Sequence, residues 1–240
     1  MSGTEALWTA YESPSAAKIP DKYKDADHKW TGVYVGVLGF CSNKTVLKKL
    51  GAEAPKSWDD LLNPAFKGQV STAHPSTSGT AFTTLWTQNV RLGGQDQALD
   101  YMKKLHSNVL QYTKSGTAPG QIAGRGEVAV GLVFSHDCVK YQEEGMSDLQ
   151  VSFPKEGTGY EVGGVALVAK SKHSEAAKKY IDWAISADAQ NIGQTVGSYQ
   201  IPTNPDAKIS DKMVKLDDVT LVDYNSKAAA EAKPALTKRF

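Results

Sequence analysis

Short apolar runs alternate with amphipathic runs along almost the whole chain, and that alternation restricts it to layered α/β folds. "TGVYVGVLGF" reads as a strand, "TVLKKLG" as a short helix closed by Gly51, and "SWDDLLNPAFKG" as a capped helical turn starting at Ser57. "QVSTA" is a strand. "SGTAFTTLWTQNVRLGG" and "QDQALDYMKKLHSN" are helices, the second with Ala98, Leu99, Met102 and Leu105 on its inner face. "NVLQYT" is the next strand, "APGQIAGRG" a short helix with Pro119 near its first turn, "EVAVGLVF" a buried strand and "DCVKYQEEG" a helix ended by Gly145. Then come a long strand, "YEVGGVALVAK", and a helix, "HSEAAKKYIDWAISADAQNIG", with Ala176, Ala177, Tyr180, Ile181 and Ala184 as its apolar stripe. "YQIPTNPDAK" carries two prolines and reads as an irregular connection, and "DYNSKAAAEAKPALTKRF" as a surface helix with Pro234 as a candidate kink. Such alternation implies parallel strands joined by right-handed crossovers.

A chain of 240 residues, 40% of them hydrophobic, can bury a core sufficient for one large domain or two lobes. Lysine and arginine number 27 against 26 aspartate and glutamate, so the charge balance supports no nucleic-acid partner and no polybasic membrane patch. An anionic ligand would need a local site. No apolar run is long enough to cross a bilayer, and the stretch up to Trp30 has neither the basic start nor the apolar core of an export signal. Cys41 and Cys138 are too few for a disulfide scaffold, and no Cys/His spacing proposes zinc or another metal. Free buried thiols are the default, with a Cys41–Cys138 bridge left open because their proximity depends on the fold. No P-loop and no GxGxxG follows a strand, so no cofactor is expected.

Three strand-to-helix junctions carry the polar residues that a ligand could use. "STAHPSTSG", "YTKSGTAPG" and "VFSHDC" each place Ser, Thr, Gly or a charged pair just past the end of a strand and at the mouth of a helix. A helix mouth presents unpaired N–H groups and a partial positive charge. At a single junction, capping by Ser76 or Ser78 would explain the hydroxyls. Three junctions on one sheet edge would give Ser76, Thr77, Ser78, Gly79, Thr80, Ser115, Gly116 and Thr117 a shared target, such as a phosphate, phosphonate, carboxylate or carbonate. Ser78, His136 and Asp137 also contain the residue types of a hydrolytic set, but no GxSxG elbow is present and adjacent His and Asp point apart on regular structure. No enzyme activity is expected.

The segments "WTGVYVGVLGF", "SWDDLLNPAFKGQV", "STSGTAF", "GEVAVGLVFSHD", "FPKEGTGYEVGGVALV" and "EAAKKYIDWAISADAQ" resemble the periplasmic solute-binding proteins of ABC importers. The resemblance lies within the branch that holds ferric-ion, phosphonate and hexose-phosphate binders, and it covers almost the whole chain. It implies a two-lobed type II α/β fold with mixed, mostly parallel sheets, which captures a small anionic metabolite in an interlobe cleft and delivers it to a membrane permease. Lobe one would comprise 1–39 and 161–215, and lobe two 40–160 and 216–240. Family members open with an export signal and a strand, helix and strand before the segment that is here "LWTAYESP". Lobe one is therefore expected to be incomplete and to accept a complementing N-terminal segment, and the periplasmic location rests on the resemblance alone.

The resemblance also bears on the ligand. Ferric binders carry adjacent tyrosines after the strand that is here "GLVF", where this chain has Ser135, His136 and Asp137. That replacement argues against iron, while a similar His-Asp pair in hexose-phosphate binders contacts the sugar. Capping of the next helix by Asp137 remains the structural alternative. Glu161, in "GTGYEVGG", stands where the family returns through its hinge and would complement hydroxyls or an amine; an exposed strand residue paired with a lysine is the alternative. Tyr34, Phe40 and Tyr160 are candidate pocket walls, although strand aromatics also serve as core. A ferric ion, an amino acid such as GABA, a polyamine, or use of the chain as a sensor or interaction module are the remaining alternatives.

Overall fold

The structure, a computed structural model, describes residues 7–240. Its elements run β1 Trp8–Thr9, β2 Thr31–Asn43, α1 Lys44–Leu50, β3 Val70–Ala73, α2 Gly79–Leu92, α3 Gln95–His106, β4 Val109–Thr113, α4 Ala118–Gly124 and β5 Val130–Phe134. They continue with α5 Ser135–Glu143, β6 Leu149–Ser152, β7 Tyr160–Val165, β8 Leu167–Val168, α6 Ser174–Ala184, α7 Ala187–Thr195, β9 Ile201–Pro202 and α8 Ser226–Arg239. The chain divides into two compact units. The larger holds Val37–Tyr160 and Val214–Phe240; the smaller holds 7–36 and Glu161–Met213.

In the larger unit the strands lie in the order β4-β3-β5-β2-β6. β3 is parallel to both β4 and β5. The long β2 is antiparallel to β5 and β6. Parallel pairing joins β4, β3 and β5, the strands that alternate with helices, where crossovers enforce it. Beneath the sheet, Phe40 meets Trp58 edge to face at 5.0 Å, and Trp58 donates its indole N–H to the Gly157 carbonyl at 3.0 Å. Leu38, Leu85, Leu105 and Leu132 are fully buried in the same cluster, and Leu236 of α8 joins them. On the helix α3, Ala98, Met102 and Leu105 are buried as expected, together with Tyr101. Phe40 is core, so it does not wall a pocket. Helix α8 continues through Pro234 instead of ending there.

The cysteines correct the sequence reading. Cys41 and Cys138 form a disulfide with Cα atoms 5.6 Å apart, within the reach such a bond requires. Cys41 lies on β2 opposite Gly131 of β5, and Cys138 on the second turn's face of α5, the helix that follows β5. Two residues separated by 97 positions are brought together only by the crossing of that helix over the sheet. The bond sits in a closed apolar cluster with Ile122, Val133, Tyr141 and Leu149.

The smaller unit is built around Ala16, Leu167, Ile181 and Ile185. Its β9 pairs antiparallel with the first half of β2, matching Tyr34 to Pro202 and Val35 to Ile201, while β1 pairs with β8. Here two long elements of the sequence reading are broken. The single strand over "YEVGGVALVAK" is β7 and β8, and the single helix after it is α6 and α7, because Ser186 turns the chain and caps α7 by accepting from the Ala189 N–H at 3.2 Å. The proposed stripe splits too. Ile181 and Ala184 are buried, whereas Tyr180 is 59% exposed. Asp182 points to the other side, taking hydrogen bonds from the Tyr11 and Ser13 hydroxyls.

Candidate functional site

Strand polarity decides where the three junctions fall. Because β4, β3 and β5 are neighbours and parallel, the segments after Thr113, Ala73 and Phe134 leave the sheet at one edge. In an open α/β sheet that edge is where ligands bind.

The first junction is a tight loop wound on His74. The His74 carbonyl accepts from the N–H groups of Thr77 and Ser78, both at 3.0 Å, and its Nδ1 accepts from the Ser76 N–H at 3.2 Å. Ser78 then caps α2, its Oγ accepting from the Ala81 N–H at 3.3 Å. As first-turn donors, the N–H groups of Gly79 and Thr80 have no acceptor inside the helix. The side of Gly79 where a Cβ would stand is open space.

The second junction lies against the first. The Thr77 hydroxyl is shared between the carbonyls of His74 and Lys114, each at 3.2 Å. A Cβ on Gly116 would overlap Thr80 Oγ1 and lie 2.7 Å from Ser78 Oγ, so only glycine lets the two loops approach this closely. Ser115 and Thr117 share a hydroxyl contact of 2.9 Å, and the Thr117 carbonyl accepts from Tyr141 of α5 at 3.2 Å. Ser76, Thr77, Ser78, Gly79, Thr80, Ser115, Gly116 and Thr117 therefore form one polar surface of two interlocked loops. Lys114 and His74 belong to it as well. Neither was chosen from the sequence, although a His two residues before Ser76, in "HPS", has the spacing at which a side chain can accept from the backbone.

The third junction opens α5. Ser135 is buried, and the helix begins there rather than at Asp137, so Asp137 sits inside the first turn and is not its cap. His136 stacks on Phe134 at 5.6 Å with an angle of 8° between the rings, and its Nε2 is 3.9 Å from Asp137 Oδ1. Burial pushes the His136 imidazole down to about 4. Burial also pushes the Asp137 carboxyl up to about 6, against the opposing pull of the Lys140 ammonium. At neutral pH the pair is a neutral imidazole beside a carboxylate, one donor and acceptor next to one pure acceptor.

The other sequence candidates lie elsewhere. Glu161 belongs to the smaller unit, on β7, where the Tyr34 hydroxyl donates to its Oε1 at 3.2 Å. Tyr160 packs on Tyr224 at 5.8 Å. Among the described residues no group of three or more His, Cys, Asp or Glu is arranged to hold a metal ion, and no helix is long and apolar enough to cross a membrane.

Residues 4–226 match the bacterial extracellular solute-binding proteins. The chain belongs to that family. An uncharacterized protein of Haemophilus influenzae is 37% identical to it over 96% of this chain and 68% of its own length. The solved periplasmic binding protein AfuA of Actinobacillus pleuropneumoniae, with fructose-6-phosphate bound, superposes with a TM-score of 0.91 at 38% identity, covering 100% of this chain and 77% of that one. The Fe(3+)-binding periplasmic protein of Serratia marcescens is 24% identical over 94% of this chain and 68% of its own length. This solute-binding protein is thus a periplasmic, type II component of an ABC importer, with a mixed α/β fold. A buried disulfide between Cys41 and Cys138 accords with that oxidising compartment.

Proposed function

We propose that the protein captures a small metabolite carrying a phosphate or phosphonate group, a hexose phosphate in the first instance, and hands it unchanged to a membrane permease. The observation that carries this reading is the contact of Gly116 with Ser78 and Thr80. It packs two hydroxyl-rich loops together at the edge where the N–H groups of Gly79 and Thr80 emerge from α2. Serine and threonine hydroxyls with free backbone donors suit the several acceptor oxygens of a phosphate without needing a lysine or arginine among them. His136 and Asp137 supply a donor and acceptors for sugar hydroxyls at the same sheet edge. The relative solved with fructose-6-phosphate supports the same ligand class.

The ligand is held and released without reaction, in keeping with a family of solute-binding proteins. We assign the two lobes to 1–39 with 161–215 and to 40–160 with 216–240. Calorimetry with hexose phosphates, 2-aminoethylphosphonate, inorganic phosphate, free fructose, putrescine, GABA and ferric citrate tests the reading. Binding of a hexose phosphate far above free fructose is expected. Binding of ferric citrate with a red colour, or of putrescine or GABA alone, overturns it.

A further inference from the structure

The residue that shapes the first loop is one that no ligand needs to touch. We infer that His74 is a positioning residue for ligand binding, holding Ser76 through its Nδ1 while an aromatic frame holds its ring. This rests on the phosphate-binding reading of that loop.

His74 directly follows β3 and is half-buried, with Nδ1 receiving the Ser76 N–H at 3.2 Å and standing 2.7 Å from Ser76 Oγ. Both contacts are satisfied when Nδ1 carries its lone pair and the proton sits on Nε2, since a backbone N–H can only donate. The ring has little freedom to leave this pose. Phe240 meets it edge to face at 5.2 Å and Tyr112 at 5.9 Å, and those two rings touch each other at 5.9 Å. Tyr112 is itself stacked on His106 at 5.7 Å, with its hydroxyl 3.1 Å from His106 Nδ1. Phe240 follows α8, which is anchored by buried Leu236. The frame therefore draws on α3, β4 and α8, three elements that bring no residue to the proposed phosphate contacts, and it borders a groove of about 470 Å³ that also exposes Lys103 and Arg239.

The consequence is a division of labour within "HPSTSG". His74 uses its carbonyl to fix Thr77 and Ser78 and its side chain to fix Ser76, so a single residue sets the loop that precedes the α2 donors. Losing the side chain leaves the carbonyl bonds in place but frees Ser76.

His74→Asn and His74→Leu separate this role from packing, because the asparagine Oδ1 stands where Nδ1 stood and can accept from Ser76, whereas leucine fills space without an acceptor. Affinity for a hexose phosphate is expected to fall about tenfold in His74→Leu, the worth of about one hydrogen bond, and to stay within about threefold in His74→Asn. Amide exchange at Ser76 should accelerate in His74→Leu and in Phe240→Ala and remain slow in His74→Asn. Equal affinity in His74→Leu and the unaltered chain, or equal losses in the leucine and asparagine variants, would overturn the inference. If the unaltered chain binds no phosphorylated compound, the ligand reading fails by itself, and Ser76 exchange still decides whether His74 holds the loop.

Discussion

His136 Nε2 and Asp137 Oδ1 stand 3.9 Å apart at the start of α5, and burial displaces their titrations in opposite directions. Asp137 titrates at about 6, above its ordinary 3.8, so its contribution to stability is present in acid and is lost as pH rises through about 6. His136 titrates at about 4, below its ordinary 6.5, so its contribution is present above 6.5 and is lost as pH falls through about 4. Between those values the two slopes oppose each other. Relative to the unaltered chain, Asp137→Asn should gain stability as pH rises across this window and His136→Asn should lose it, each by on the order of 2 kcal/mol. Urea unfolding at several pH values measures this. Parallel profiles for all three proteins would refute it.

Gly116→Ala should be damaging where Gly79→Ala is not. The new methyl group at 116 collides with Thr80 and Ser78, and relieving it by shifting backbone should cost about 1–3 kcal/mol and separate the two loops. At 79 the methyl group meets open space, so thermal stability should hold, while affinity for a hexose phosphate should fall if the ligand approaches the first turn of α2. Thermal melts with and without ligand distinguish the two variants; similar melts would contradict the loop contact.

Ser78 caps α2, and its charge can be changed without removing the cap. Ser78→Asp still offers an oxygen to the Ala81 N–H and favours the helix mouth electrostatically, so stability should be kept while an anionic ligand is repelled. Ser78→Ala should lose about 1 kcal/mol of stability and bind somewhat more weakly. Unchanged affinity in the aspartate variant, measured by calorimetry, would remove the α2 mouth from the site.

Removing the disulfide should be felt by the whole larger unit. A link across 97 residues restricts the unfolded chain enough to contribute about 4–5 kcal/mol in the chain-entropy account. The Cys41→Ala, Cys138→Ala protein should melt well below the oxidised form, and mild reductant should act slowly because both sulfurs are buried. Equal melting temperatures would show that the link is energetically idle.

In the smaller unit Trp183 is 51% exposed, its ring 5.6 Å from that of the still more exposed Tyr180. Trp8 and Val168, paired across β1 and β8, add further bare apolar surface. Surface of this kind favours association. The chain should self-associate at high concentration, and Tyr180→Lys with Trp183→Lys should suppress this without altering hexose-phosphate affinity; sedimentation that shows monomers for both would refute it.

The loops were legible in the sequence because their signals are local. Ser78 reads as a cap from its place before an amphipathic run, Gly51 and Gly145 as helix ends, and strand ends as the places where hydroxyls gather. The break between α6 and α7 was hidden because "WAISADAQ" keeps helical periodicity through Ser186, whose capping hydrogen bond competes with it only once the chain has turned. Tyr180 was misplaced because an aromatic at helical spacing signals an apolar stripe whether or not anything covers it. Cys41 and Cys138 carry no local signal for pairing, since their meeting depends on how α5 crosses β2. His74 was overlooked because its importance comes from Phe240, 166 positions later in the numbering of the chain and adjacent only in the fold.

Leu236 of α8 is fully buried in the same cluster as Leu38 and Leu132, which places the order of synthesis under a constraint. A nascent chain has made every strand of the larger unit before the ribosome reaches this leucine, so the apolar cluster beneath them lacks this member until it arrives. A polypeptide bound for the periplasm must cross the inner membrane before it acts, and a core completed only once α8 is made leaves the earlier segments less tightly packed until then.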